Sequence, residues 1–137
     1  MPAPLLVLFH GLEGSSQSHY SRAFALWAHS RGWDFVVPHF RGCSGELNRA
    51  PRTYFSGDHA EVDWILRRLA LRRPGPMLAV GVSLGGNALL RWAQEAGGEA
   101  SRIVRAVAAV SSPVALTAVS ESINRGFNKR VYTRRFL

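Results

Sequence analysis

Short apolar runs alternate along this chain with longer segments in which apolar residues recur at helical spacing. Continuous apolar runs are typical of buried strands, and the longer periodic segments are typical of amphipathic helices. Their alternation predicts a parallel sheet with crossover helices, which is an α/β fold. The predicted strands are Leu5–Phe9, 35–37, 77–80 and 103–110, and the predicted helices are 18–31, a segment that begins after Asp58, and Leu84–Ala96.

The helix after Asp58 carries the clearest boundary signals. Asp58 and Glu61 stand three residues apart, as in a capping box in which an acid replaces the usual Ser or Thr. Acidic residues fall in the first turn and arginines gather toward the end, which matches the direction of the helix dipole. We expect these arginines to lie on the helix surface; they are Arg67, Arg68, Arg72 and Arg73.

Length and composition favour a single folded domain. The chain has 137 residues, 47% of them hydrophobic, so it can build one core. The Leu5–Phe9 run is too short to span a bilayer and no basic residues precede it, so we expect neither a transmembrane segment nor a signal peptide. The single cysteine, Cys43, excludes an internal disulfide and a cysteine-based zinc cluster. A cytoplasmic protein is therefore expected.

The net charge of +8 raises the question of nucleic-acid binding. Sixteen of the seventeen basic residues are arginines spread along the whole chain, and no recognised nucleic-acid motif accompanies them. An arginine-rich solvated surface is the simpler interpretation, and we expect no nucleic-acid partner. The one basic cluster lies at the end of the chain and comprises Arg125, Lys129, Arg130, Arg134 and Arg135.

The sequence G-V-S-L-G, residues 81–85, lies between the third predicted strand and the following helix. It matches G-x-S-x-G, the nucleophile elbow of serine hydrolases. A serine in so sharp a turn takes strained backbone angles, and glycines two residues before and after it remove the crowding around its Cβ. The dipole of the following helix favours negative charge there. A glycine turn with a capping serine is the alternative, but the strand-to-helix context favours Ser83 as a nucleophile.

The first strand is followed by H-G-L-E-G, residues 10–14. In the fold that the elbow indicates, the loop after this strand and the residue after the nucleophile each supply one backbone N–H of the oxyanion hole. Gly11 allows the loop to approach, so the N–H groups of Leu12 and Leu84 are the candidate donors. His10 could act as a base, but the base follows the serine along the chain in this fold, which favours a structural role for His10.

The other chemically competent side chains give weaker indications. His19, His29, His39 and His59 lack a metal-ligand spacing such as H-E-x-x-H, so no metal site is predicted. His29 and His59 fall on predicted helix surfaces. Cys43 lies in a loop without an elbow, and we interpret it as a packed or partly exposed structural cysteine rather than a thiol nucleophile.

Several motifs together resemble the YheT-like esterase branch of the α/β-hydrolases. They are H-G-L-E-G-S from residue 10, G-W at 32–33, H-F-R-G-C-S-G-E at 39–46 and G-V-S-L-G-G-N at 81–87, and G-F-N-K-R-V-Y at 126–132 is similar to the start of that family's cap. The resemblance implies a serine carboxylic-ester hydrolase, esterase-like or acylglycerol-lipase-like, with a Ser-Asp-His triad and no cofactor. Its substrate would be a small ester or a lipid-like molecule. Ser83 would form an acyl-enzyme, and Leu12 and Leu84 would supply the oxyanion hole.

The resemblance also implies an α/β-hydrolase fold of which this chain holds a partial parallel sheet. The sheet would contain about strands three to six, in the spatial order 4-3-5-6, and would be truncated before the last strands. Residues 1–112 would form this partial core and residues 113–137 the start of the cap or lid. The strands at 35–37 and 103–110 would then present open edges that favour self-association.

The sequence after Ser83 departs from the family pattern. The triad normally runs Ser, then Asp or Glu, then His, yet no Asp and no His follow Ser83. Only Glu95, Glu99 and Glu121 do, and family members are more than twice as long. We therefore expect a fragment of a serine esterase that has little or no activity by itself. The alternatives are a non-catalytic hydrolase remnant that acts as a binding protein, and one half of a split hydrolase.

Overall fold

In the computed structural model, residues 1–43, 45 and 58–113 are described, and strands alternate with helices along them. The strands are β1 (Leu5–Phe9), β2 (Asp34–Val36), β3 (Met77–Val82) and β4 (Ala106–Val110). The helices are α1 (His19–Ser30), α2 (His59–Arg72), α3 (Leu84–Ala96) and α4 (Ala100–Ile103), with a 3₁₀ turn at Gly97–Glu99. The predicted α/β class is confirmed.

Two predicted features lie outside the described residues. They are the cap segment, from residue 114 onward and including the terminal basic cluster, and most of the loop between β2 and α2. Within residues 1–43, 45 and 58–113, no helix is long and apolar enough to cross a membrane.

The sheet has the strand order β2-β1-β3-β4, and each pairing within it is parallel. This is the order that the family resemblance implied. β1 and β3 are paired from Leu5 with Met77 to Phe9 with Gly81, and every residue of β1 is buried. A parallel strand covered on both faces requires such a continuous apolar run. Because the carboxyl ends of parallel strands meet at one edge, the residues that follow Phe9 and Val82 come together there.

Alternate side chains of β1 belong to two separate cores, one on each face of the sheet. Leu6 and Leu8 pack with Ala28 of α1 and with Val80. On the opposite face, Val7 and Phe9 join a larger core with residues of α2 and α3; these include Val62, Leu66, Ala88, Leu89 and Trp92. The helices therefore hold β1 and β3 rigidly from both sides.

The N-terminus of α2 confirms the N-cap of the predicted capping box, but not its second hydrogen bond. Asp58 is the N-cap, and its carboxylate accepts the backbone N–H of Glu61 at 3.4 Å. The Glu61 carboxylate accepts a hydrogen bond from Arg41 at 3.3 Å. The four arginines toward the end of the segment are exposed, as expected. The predicted bounds of α3 are also confirmed, and Gly97, with a φ of 54°, ends that helix.

The fourth strand begins later than predicted, at Ala106 rather than at residue 103. The backbone N–H of Val104 donates to the carbonyl of Ala100 at 2.9 Å, which continues the helical turn of α4. Arg105 donates to the carbonyl of Met77 at 2.8 Å and leads the chain into the sheet. Ile103 and Val104 are apolar because they pack against the α2 and α3 core, not because they extend the strand.

Within the described residues, β4 forms an open edge of the sheet. All five of its residues are exposed, among them Val107 and Val110. An apolar cavity of about 420 Å³ lies beside β4, between α1 and the sheet, and Trp27, Trp33 and Phe24 contribute to its lining. The open apolar edge that the sequence predicts at this end of the sheet is therefore present. At the opposite edge, β2 is half-buried. It begins and ends one residue earlier than predicted.

Candidate active site

Ser83 lies at the junction of β3 and α3 with a φ of 53° and a ψ of −117°. A positive φ is costly for a residue that carries a Cβ, by about 1–3 kcal/mol in sparsely populated regions. Two hydrogen bonds hold the turn. The Ser83 N–H donates to the carbonyl of Val110 at 2.9 Å, and the Ser83 carbonyl accepts from the N–H of Asn87 at 3.1 Å. The neighbouring strand and the first turn of α3 thus stabilise the strained conformation.

The two glycines of the motif are required by backbone contacts. A Cβ at Gly81 would stand 2.5 Å from the Gly85 carbonyl oxygen, and a Cβ at Gly85 would overlap the carbonyl oxygens of Phe9 and His10. Glycine is therefore needed at both positions, as predicted. The reason differs from the expected crowding around the Ser83 side chain, because the obstructing atoms belong to the backbones of α3 and β1.

Gly86 and Asn87 follow the elbow, and the sequence reasoning did not foresee their contacts. A Cβ at Gly86 would overlap the hydroxyl oxygen of Ser112, and the side-chain amide of Asn87 donates to the carbonyl of Pro113 at 3.0 Å. Both contacts attach the first turn of α3 to the chain that follows β4. The G-G-N sequence was visible, but its partners lie on another strand connection, 26 residues away in the case of Pro113.

The loop after β1 lies directly beside the elbow. A Cβ built on Gly11 would be 3.4 Å from the Cβ of Ser83, an ordinary van der Waals separation, so Gly11 lies close to the serine with room for a methyl group between them. Leu12 follows and is exposed, and Leu84 is the first residue of α3. N–H groups in the first turn of a helix have no acceptor inside the helix. The structure therefore brings together Ser83, the loop that holds Leu12, and the free helix end that begins at Leu84.

His10 is fully buried, and both of its ring nitrogens are engaged by backbone groups. Nε2 accepts the N–H of Phe40 at 2.9 Å, so Nδ1 carries the proton and donates to the carbonyl of Gly11 at 2.8 Å. Burial lowers the pKa of His10 below its usual value, which keeps the ring neutral. Neither nitrogen is left to take a proton from Ser83. The geometry supports the structural role and argues against the alternative of a catalytic base.

Tyr20 is a second residue that the sequence reasoning missed. It lies in the first turn of α1, and its hydroxyl oxygen accepts the backbone N–H of Gly11 at 2.8 Å. A Cβ at Gly14 would overlap the Tyr20 hydroxyl, so the glycine makes room for this contact. Gly11 and Tyr20 are nine residues apart and meet because the loop after β1 folds back on α1. No sequence motif predicts this contact.

The other histidines and Cys43, which the sequence analysis also considered, make their contacts elsewhere. His29 is exposed as predicted. His59, the first residue of α2, is half-buried rather than fully on the surface. His39 Nε2 accepts the N–H of Ser16 at 3.1 Å. Cys43 is half-buried and packs against the α2 and α3 core, in agreement with a structural cysteine. Among the residues described, no three His, Cys, Asp or Glu side chains form a metal-binding group.

Comparison with known sequences identifies the family. A profile described as the alpha/beta hydrolase fold matches residues 4–134. The chain belongs to the α/β-hydrolase family. This α/β-hydrolase is 47% identical over 136 residues to an Escherichia coli K12 protein named "Putative esterase YheT", and 32% identical over 126 residues to phospholipase ABHD3 of Mus musculus. The matches cover 98% and 91% of the chain but only 39% and 30% of those proteins.

Solved structures agree on the fold. The α/β-hydrolase chain is similar to mouse alpha/beta hydrolase domain-containing protein 10, with a TM-score of 0.65 and 19% identity. It is also similar to the monoacylglycerol lipase of Paleococcus ferrophilus, with a TM-score of 0.60 and 19% identity. The matches cover 95% and 92% of this chain and about half of each solved chain, 50% and 49%.

Proposed function

We propose that this α/β-hydrolase is a serine carboxylic-ester hydrolase that acts on small or lipid-like esters through Ser83. The observation that carries the proposal is the positive φ of Ser83 at the junction of β3 and α3, with Gly11 of the loop after β1 close beside it. A strained serine on a strand-to-helix turn is the geometry of the nucleophile elbow. The names of the relatives, an esterase and a phospholipase, favour ester substrates.

In the proposed reaction, Ser83 Oγ attacks the carbonyl carbon of the ester, and its hydroxyl proton passes to a general base. The carbonyl oxygen becomes an oxyanion that accepts hydrogen bonds from the backbone N–H groups of Leu12 and Leu84. Collapse of this tetrahedral species expels the alcohol, which takes up the proton, and leaves an acyl-enzyme. Water then attacks the acyl carbon, releases the carboxylic acid and returns the proton to Ser83.

The general base is the missing part of this scheme. No His or Asp follows Ser83 in the sequence, and both nitrogens of His10 are occupied. Without a base, Ser83 is a weak nucleophile at neutral pH. We therefore propose that the 137-residue chain alone hydrolyses esters at least a thousand times more slowly than a hydrolase with a complete triad.

The test compares the purified chain with Ser83→Ala and with a control, Ser101→Ala, which removes an exposed hydroxyl on α4. Hydrolysis of p-nitrophenyl butyrate and the mass of the intact protein after long incubation with a fluorophosphonate would both be measured. We expect slow turnover, and a slowly formed adduct that Ser83→Ala abolishes and Ser101→Ala retains. An adduct that survives in Ser83→Ala would contradict the nucleophile, and turnover within tenfold of an ordinary esterase would contradict the slow rate.

A second candidate function is one half of a split hydrolase, which the open edge of β4 favours. All residues of that strand are exposed, and an apolar cavity lies beside it within the part of the chain described. A separate polypeptide with the strands that bear Asp and His would pair with β4. Mixing the chain with the remaining C-terminal portion of Escherichia coli YheT would then raise Ser83-dependent hydrolysis more than tenfold. An unchanged rate would instead favour a remnant that binds without catalysis.

A further inference from the structure

We propose that Tyr20 and His10 are positioning residues that hold the peptide group between Gly11 and Leu12 in the orientation that an oxyanion hole requires. The inference rests on the proposed function, in which the Leu12 N–H is one of the two donors. It assigns Tyr20 and His10 a role in that site, although neither side chain donates a hydrogen bond to the substrate. Each acts on a backbone group of Gly11.

Gly11 is held on both sides of its Cα. Its N–H donates to the hydroxyl oxygen of Tyr20 at 2.8 Å. Its carbonyl oxygen accepts from Nδ1 of His10 at 2.8 Å and from the N–H of Gly14 at 3.0 Å. Glycine has no side chain to restrict its backbone, so these three hydrogen bonds determine the conformation that Gly11 adopts.

The direction of the Leu12 N–H follows from the planarity of the peptide bond. In a trans peptide the N–H points opposite to the preceding carbonyl. Since the Gly11 carbonyl is turned toward His10 and Gly14, the Leu12 N–H points away from both. Among the described residues, no hydrogen bond engages that N–H. A Cβ on Gly11 would lie 3.4 Å from the Cβ of Ser83, so the residue that carries the unoccupied donor directly follows a close neighbour of the serine. We infer that a substrate oxygen held at Ser83 can reach this N–H.

The two anchors are themselves fixed. The ring of His10 is buried, accepts the N–H of Phe40 and stands edge-on to the Phe40 ring at a centroid distance of 4.8 Å. Tyr20 is part of α1, which packs on the sheet through Ala28. The loop is therefore tied to two separate elements before any substrate binds, which is the preorganisation that oxyanion stabilisation depends on.

The first experiment uses backbone amide NMR spectra of the full, ligand-free chain. Tyr20→Phe keeps the ring and removes only the oxygen that accepts the Gly11 N–H. The control, Ser30→Ala, removes a hydroxyl from the same helix, where it donates to the carbonyl of Trp27 far along the helix from the loop. We expect Tyr20→Phe to shift the Gly11 and Leu12 amide signals and to speed hydrogen exchange of the Gly11 amide, and we expect Ser30→Ala to leave them in place. Unchanged Gly11 and Leu12 signals in Tyr20→Phe would overturn the proposal.

The second experiment adds 1-butaneboronic acid, which forms a tetrahedral adduct on a nucleophilic serine and so imitates the oxyanion. In the unmodified chain we expect the amide signals of both Leu12 and Leu84 to move. In Tyr20→Phe, Leu84 should still move, the Leu12 shift should be lost, and the dissociation constant should rise about tenfold, less than the 100- to 1,000-fold effect of deleting a donor. An equal Leu12 shift in both proteins would overturn the proposal.

Gly14→Ala provides a second variant, because its methyl group would displace the Tyr20 hydroxyl without altering Tyr20, while also crowding the Gly11 carbonyl oxygen and the His10 Cβ. It should reproduce the Gly11 and Leu12 shifts of Tyr20→Phe, and unshifted signals would count against the proposal. If the boronate moves no amide signal and the long fluorophosphonate incubation gives no adduct in the unmodified chain, the role of Ser83 fails. The ligand-free spectra then still decide whether Tyr20 positions the loop.

Discussion

The carbonyl oxygen of Phe9, at the end of β1, lies against Gly85 so closely that a Cβ on Gly85 would overlap it. The same added atom would overlap the carbonyl oxygen of His10. The start of α3 therefore packs backbone to backbone on the end of β1. This contact sets the loop that follows β1 beside Ser83, and the candidate site depends on it.

Gly85→Ala should consequently destabilise the fold as well as the site. The added methyl group would force β1 and α3 apart, and overpacking of this kind costs about 1–3 kcal/mol or more. Gly98→Ala is the matched control, since a Cβ there meets no atom within 4 Å. Replacing that glycine should be neutral or stabilise by about 0.5 kcal/mol, through the lower entropy of the unfolded chain. Urea unfolding measures both effects, and equal stabilities of the two variants would refute the contact.

Exogenous imidazole should accelerate ester hydrolysis through Ser83. Among the described residues, no side chain is hydrogen-bonded to the Ser83 hydroxyl. Imidazole in solution can accept the proton of that hydroxyl, as a general base does. We expect the difference in p-nitrophenyl butyrate hydrolysis between the chain and Ser83→Ala to grow with imidazole concentration, by at least tenfold. Subtracting the rate of Ser83→Ala removes the direct reaction of imidazole with the ester. A difference that stays constant would mean that the lack of a base is not what limits Ser83.

The buried His10 should make the free energy of unfolding depend on pH. Burial lowers the pKa of His10 in the folded protein, whereas the unfolded side chain titrates near about 6.5. Below about pH 6.5 the unfolded state thus binds more protons, so stability is greatest above that pH and is lost as pH falls toward the folded-state pKa.

Urea unfolding of His10→Asn tests this dependence. Asn keeps a donor near the position of Nδ1 but does not titrate, so the loss of stability on acidification should be smaller than in the unmodified chain. His29→Asn, at an exposed position on α1, should retain the full loss. The same pH dependence in His10→Asn as in the unmodified chain would argue against a neutral, buried His10.

The open edge of β4 should promote association between copies of this chain. Unpaired N–H and C=O groups on an apolar edge strand are a template for further pairing. Val107→Lys places a charge on that strand, where the valine is 36% exposed, and should shift the sedimentation profile toward the monomer. Leu71→Lys introduces the same charge at an exposed position at the end of α2 and should leave association unchanged. A monomer at all concentrations before mutation would show that the edge is protected.

Local patterns in the sequence determined most of the fold. The continuous apolar run of Leu5–Phe9 has the length of a buried strand and is too short for most helices, and the bounds of α3 follow from Ser83 at one end and Gly97 at the other. Such features depend on neighbouring residues, so they are visible along the chain. The start of β4 could not be read from the sequence. Ile103 and Val104 are apolar because they pack against the α2 and α3 core, and an apolar pattern alone does not distinguish that packing from a strand.

The sequence by itself also determined the elbow and the family motifs, since a G-x-S-x-G turn between a strand and a helix is a local requirement of backbone sterics. The order of the triad along the chain favoured a structural role for His10, but only the tertiary structure showed what that role is, because it depends on hydrogen bonds to Gly11 and to Phe40 from a distant segment. The tertiary structure likewise decided the contact of Tyr20 with Gly11 and that of Gly86 with Ser112. These contacts join residues that approach only after the parallel strands have paired, and hydrogen bonds and steric fit act through space rather than along the chain.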